Sequence, residues 1–161
     1  MNKISKHITY KEATRSNTAK RYNIDNTPSE TVIQKMRITA NKLFEPVRNH
    51  FGVPIFVSSF FRSWALNKKL RGSKTSDHPK GMAIDIDDVL SDDNGPTNAD
   101  IFYWIRDNLS FDQLIWEYGD DDNPDWVHVS YRSESKNRQQ VFKMVRYKDW
   151  AGRTRSKKVL F

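Results

Sequence analysis

Thr75-Ser76-Asp77-His78-Pro79-Lys80-Gly81-Met82-Ala83-Ile84-Asp85-Ile86 runs from a polar loop into an apolar strand, and one residue in it stands out. Asp85 lies inside the apolar run 82–86. A carboxylate there needs a partner, because burying a charge is costly unless it is paired or bound to a metal. The candidate partners are His78, seven residues earlier, and His128, in Trp126-Val127-His128-Val129-Ser130. Two imidazoles and one carboxylate, with room for a water, are the ligand mix of a catalytic zinc site. A structural salt bridge from Asp85 to Arg62 is the plainer alternative, and spacing alone does not choose between them.

Outward from that stretch, the chain alternates helical and strand patterns. Residues 1–26 are polar and mixed, and predict an irregular lead-in with a short turn of helix. Thr27-Pro28-Ser29-Glu30 predicts a helix start, with Thr27 as cap, Pro28 at the first helical position and Glu30 completing the capping box. Val32, Ile33, Met36, Ala40, Leu43, Phe44 and Val47 recur at helical spacing to about His50. Pro46 predicts a bend, and Gly52 ends the helix. Strands are expected at 54–59, 82–86, 111–118 and 126–131, and helices at 63–70 and 99–109. Residues 71–76, 91–96 and 119–124 read as loops or turns. This order predicts an α+β fold, a small antiparallel sheet with helices packed on it. A calcium loop at 120–125 is excluded, since the required glycine and terminal glutamate are missing.

At 161 residues, with 37% hydrophobic and 12% aromatic content, one domain with a real core is expected. There is no Cys, which excludes disulfides, Cys-rich zinc sites and thiol nucleophiles. The N-terminus lacks the apolar run of a signal peptide, and no stretch is long enough to cross a membrane. The net charge of +7 is a C-terminal feature: residues 136–161 hold nine Lys or Arg against Asp149 alone. Such an end suits an anionic surface or is an ordinary solvated tail. It is compatible with nucleic acid, but no recognition helix or stacking motif accompanies it, so no nucleic acid is expected.

A zinc hydrolase also needs a base to move the water's proton to the leaving amine. Asp125, three residues before His128, is the first candidate, with Glu117 and His50 as competitors. Arg62 is placed to bind a substrate carboxylate or steady an oxyanion, and Ser76 to donate to substrate. His7 and His50 read as ordinary hydrogen-bonded histidines. Trp104, Trp116, Trp126 and Trp150 read as packing residues.

The pattern Ser76-x-His78-x-x-Gly81-x-Ala83-x-Asp85-Ile86, followed by Trp126-Val127-His128-Val129-Ser130, resembles the M15 family of zinc peptidases. Its members include D-Ala-D-Ala carboxypeptidases and the L-alanyl-D-glutamate endopeptidase endolysins of bacteriophages. Residues 5–19 resemble the lead-in of the phage-type branch, and Phe44-Glu45-Pro46-Val47-Arg48 its first helix. The resemblance implies a hedgehog/DD-peptidase-like fold and one Zn²⁺ on His78, Asp85 and His128. It makes Asp125 the catalytic acid/base and aligns Arg62 with the arginine of the family's Ser-Gly-Tyr-Arg-Ser segment. This chain reads Ser59-Phe60-Phe61-Arg62-Ser63, with Phe60 in the glycine's place. The expected activity is zinc-dependent hydrolysis of peptidoglycan peptide stems by a monomer, as endopeptidase or carboxypeptidase, with the basic end on an anionic wall. The expected route is synthesis in a host cytoplasm without a signal peptide, then action at the wall after release or carriage by a virion. The alternative is a non-catalytic wall-binding or virion structural protein that keeps the peptidase fold.

Overall fold

In the computed structural model the described residues are 3–88 and 95–161, so residues 91–94 of the turn expected at 91–96 lie outside them. The lead-in is more ordered than its composition predicts. Thr9 and Glu12 form a capping box on α1 (Tyr10–Ala13), and Ser16 caps α2 (Asn17–Arg21). α3 spans Glu30–Thr39, and its cap is Ser29 rather than Thr27. The Thr27 N–H is already taken by the Asp25 carboxylate at 2.9 Å, which turns the chain before the helix begins.

The long helix expected to His50 is broken by design of its sequence. A π-turn over Ala40–Phe44, in which the Glu45 N–H reaches the Ala40 carbonyl, separates α3 from α4 (Glu45–Phe51). Pro46 has no N–H and would clash with the carbonyl four residues back, and the wider turn just before it relieves both problems. Gly52, at φ 70°, ends α4. Then follow β1 (Phe56–Ser59), α5 (Trp64–Lys69), β2 (Ala83–Asp87), α6 (Asn98–Asn108), β3 (Gln113–Glu117), β4 (Trp126–Ser130), β5 (Gln140–Lys148) and β6 (Thr154–Leu160).

The strands form one sheet in the order β1-β2-β4-β3-β5-β6. The fold is α+β as expected, but the sheet is not wholly antiparallel, because β5 runs parallel to β3. The reason lies in the connection after β4. Ser130 finishes opposite Gln113, where β3 begins, and Gln140 also starts β5 opposite Gln113. The chain therefore steps across one end of the sheet instead of turning back on itself. Asp112, wholly buried, fixes that step by accepting Arg138 through both oxygens at 2.7 Å and Arg132 at 2.8 Å.

The basic end is thus not a tail. Residues 140–160 form a hairpin that widens the sheet by two strands. Its side chains are mostly exposed, so it is held chiefly by backbone ladders and shows no strong hydrophobic period.

Strand alternation gives the sheet two faces. Ile84, Ile86, Leu114, Trp116, Val127 and Val129 join Met36, Leu43, Phe44, Phe102 and Ile105 in the core. The opposite face carries Asp85, Ile115, Glu117 and His128. Register is strongly fixed here. A one-residue slip would turn four buried aliphatic side chains of β2 and β4 outward, each worth about 1.5–3 kcal/mol, and drive Asp85 and His128 into the core.

Candidate metal centre

Asp85 of β2 and His128 of β4 are direct cross-strand partners. His78 arrives from a short 3₁₀ turn, His78–Lys80, ended by Gly81 at φ 70°. A Cβ on Gly81 would fall 2.7 Å from Met36 Cγ and 2.8 Å from the Val32 carbonyl oxygen, so only glycine lets this turn lie against α3. Ser76 Oγ accepts the His78 N–H at 3.3 Å. The outcome is a cluster in which one ligand atom each from His78, Asp85 and His128 lies within 4.8 Å of the others.

The hydrogen bonds show what this cluster lacks. His78 Nδ1 lies 2.6 Å from the Phe60 carbonyl oxygen, which only accepts, so Nδ1 carries the proton. In a neutral imidazole Nε2 then presents a lone pair, and it faces Asp85 Oδ1 at 3.2 Å. Burial pushes His78 below the usual histidine pKa, with Asp85 opposing, so the neutral form is favoured. Burial alone would raise the Asp85 pKa, but His78 and His128 hold it well below the usual carboxylate range. Two lone-pair atoms therefore converge, joined by His128 Nδ1 at 2.7 Å from the same Oδ1. A cation resolves that convergence. Tetrahedral ligands on zinc at about 2.0–2.1 Å stand roughly 3.3 Å apart, against 3.2 and 2.7 Å for the two Asp85 separations and no more than 4.8 Å across the cluster.

Arg62 completes the arrangement. Its Nη2 donates to Asp85 Oδ2, leaving Oδ1 to the imidazoles, and its Nε donates to Ser59 Oγ at 2.7 Å. The metal-cluster reading and the salt-bridge reading of Asp85 are thus both realised, one on each carboxylate oxygen. Phe60 does not narrow the site. Its side chain is core at 1% exposure, and its backbone is not in the left-handed region that would require glycine.

The cluster floors a cleft of about 500 Å³. Arg62, Ser76, Glu117, Trp126, Met144, Ser156 and Lys158 line it as well. Trp126 is therefore a cleft wall rather than only packing. Trp150, 94% exposed at the hairpin turn, is not packing at all. Trp104 and Trp116 do pack, as expected. Of the candidate bases, His50 is outside the cleft, stacked on Trp104 at 4.6 Å. His7 is hydrogen-bonded to Glu45. Asp125 stands at the head of β4 with its carboxylate half-exposed, 3.6 Å from Arg146 Nη1. Glu117 points into the cleft, and burial raises its pKa to about 7.

Sequence reasoning nominated the three residues of the cluster and Arg62 but not the cleft residues Gln113, Met144, Ser156 and Lys158. Period-two alternation along β3 would have found Gln113 beside Ile115 and Glu117. Nothing local marks the hairpin residues.

The profile of the Peptidase M15 family matches residues 6–130. The chain belongs to the Peptidase M15 family. Among curated proteins nothing matches the chain. The M15 match takes in all three cluster residues, Arg62 and Asp125, and stops at the end of β4. β5 and β6, with their cleft residues, lie beyond the matched region.

Glu117 gives a pH-dependent prediction for the metal-free protein. Its raised pKa means that ionising it costs stability, a cost absent below pH 4.5 and fully present once pH exceeds about 7. Glu117→Gln should therefore be more stable than wild type at pH 8, by up to about 3 kcal/mol, and equal to it at pH 4. Denaturant unfolding at the two pH values measures this, and a difference independent of pH would contradict the assigned burial.

Proposed function

We propose that this M15 protein is a zinc-dependent peptidase that hydrolyses peptide-stem bonds of bacterial peptidoglycan in the role of a phage-type endolysin. The observation that carries the reading is the convergence of His78, Asp85 and His128 on the floor of an open cleft in an M15 scaffold. Bound zinc would supply Lewis acidity, polarising a carbonyl and acidifying water.

The chain's own residues do the rest. Phe60 and Arg62 fix the orientation of His78 and Asp85, as outer partners of metal ligands do. Asp125 takes a proton from the attacking water and returns it to the nitrogen of the departing amine, as the C–O bond forms and the C–N bond breaks. Arg62 Nη1, which no bond of the described residues occupies, binds a substrate oxygen, and Ser76 Oγ donates to the substrate backbone. The hairpin's cations draw the protein to an anionic wall. The protein is made in a host cytoplasm and reaches the wall after release, or is carried by a virion.

Cleavage of a soluble stem peptide tests this reading. It should be lost with chelator and restored by zinc. Cleavage of ordinary peptides but not stems would move the substrate away from the wall.

Wall attraction has its own test. Arg153 and Arg155 both hold Asp149 and shape the turn, so Lys148 and Lys157 are the better targets. Lys148→Glu with Lys157→Glu should lower sedimentation with purified walls several-fold at low salt, while wild-type binding falls as salt rises. Binding that ignores both charge and salt would leave the hairpin as ordinary surface.

A further inference from the structure

The hairpin does more than carry charge, because one of its cations turns into the cleft. Lys158 pairs with Met144, Met144 with Glu117, and Glu117 with Trp126. The Lys158 backbone is therefore two strands beyond Glu117, about 10 Å at ordinary strand spacing. Its side chain leans back over β5 toward the start of β3. Nζ lies 4.7 Å from the Phe142 ring centroid and donates to Gln113 Oε1 at 3.3 Å. Gln113 is aligned for this by giving its own amide N–H to Gln140 at 3.0 Å.

Gln113 stands two residues before Ile115, and Ile115 pairs with His128. One strand over and two residues along puts the Gln113 backbone roughly 8 Å from that of His128, on the cleft face that both share with Lys158. An extended peptide advances about 3.3–3.6 Å per residue, so this is about two residues along a bound chain.

The ammonium is poorly satisfied. Lys143, Arg146, Arg153 and Arg155 of the same hairpin each have a carboxylate partner. Lys158, which lines the cleft, has only the neutral Gln113 amide as a hydrogen-bond partner among the described residues, which leaves two of its donors without one. Glu117, and more weakly Asp77 and Asp112, exert a longer-range pull on it, but none forms an ion pair with it among the described residues. Partial burial, helped by Arg138, lowers the Lys158 pKa despite that pull.

We propose that Lys158 and Gln113 form an anion subsite of the cleft, selecting substrates that carry a free carboxylate about two residues from the bond that is cut. The proposal rests on the peptidase reading above and names the substrate chemistry that the hairpin contributes to it. Arg62 serves the reacting bond, while Lys158 reads a more distant group.

The test uses two soluble stem-type peptides, identical except that one carboxylate at that distance is a carboxamide in the second. kcat/KM is measured for each on the zinc-loaded full chain, and equilibrium binding of each on the zinc-free protein by calorimetry. Wild type should favour the carboxylate by roughly tenfold, the scale of one charge-assisted hydrogen bond at a partly exposed site. Lys158→Gln should bring the ratio to about one, and Lys158→Arg should keep most of it. Lys136→Gln, which does not line the cleft, should keep the wild-type ratio. A wild-type protein with no preference, or a Lys158→Gln ratio equal to wild type, overturns the subsite. If neither peptide is cut but the acidic one still binds about tenfold tighter through Lys158, the subsite stands and the wall-peptidase reading falls.

Discussion

His128→Ala is expected to lose stoichiometric zinc and with it measurable peptidase turnover. Outer partners of metal ligands are worth about 10–100-fold in affinity or activity, and a ligand itself is worth more. His128 is one of three, on a central strand whose register is locked by Val127 and Val129 in the core. The fold should survive, since His128 faces the cleft and its loss exposes no core surface. Circular dichroism and zinc titration separate these outcomes. Arg62→Met makes the companion measurement, with zinc held about 10–100-fold more weakly because Asp85 Oδ2 loses its anchor. Wild-type zinc affinity in His128→Ala would remove the proposed centre altogether.

Asp125→Asn is the second large effect. It should bind zinc normally yet lose about 10²-fold or more in kcat, the usual scale of a lost general acid–base group. The comparison that decides the role is Glu117→Gln. Glu117 has the cleft position and a pKa near 7, whereas Asp125 has the place three residues ahead of His128 and a carboxylate now beside Arg146. A deep loss in Asp125→Asn with a modest one in Glu117→Gln supports the assignment. The reverse pattern would give the proton transfer to Glu117 and leave Asp125 as a partner of Arg146.

The His78, Asp85 and His128 cluster was legible because Asp85 breaks the apolar run 82–86, and a buried carboxylate needs partners that sequence can nominate. The helices of the core face were legible for the same reason, since Met36, Leu43, Phe102 and Ile105 repeat with the helical period. What stayed hidden depends on contacts that leave no local pattern. The parallel step from β4 to β5 is set by Asp112 holding two arginines from a distant loop. Ser29 displaced Thr27 as cap because Asp25 had already engaged the Thr27 backbone. The hairpin read as a charged tail because its strands bury little, so neither alternation nor hydrophobicity marked them. Lys158 is one lysine among many there, and only the sheet order shows that it faces the metal cluster's cleft.

The most direct measurement is mass analysis of purified peptidoglycan after digestion by the zinc-loaded protein, with and without chelator. The account predicts new amino and carboxyl ends within the peptide stems, absent with chelator, restored by added zinc, and absent throughout with His128→Ala. Intact stems in the presence of stoichiometrically bound zinc, or the same new ends with the metal removed, would contradict it.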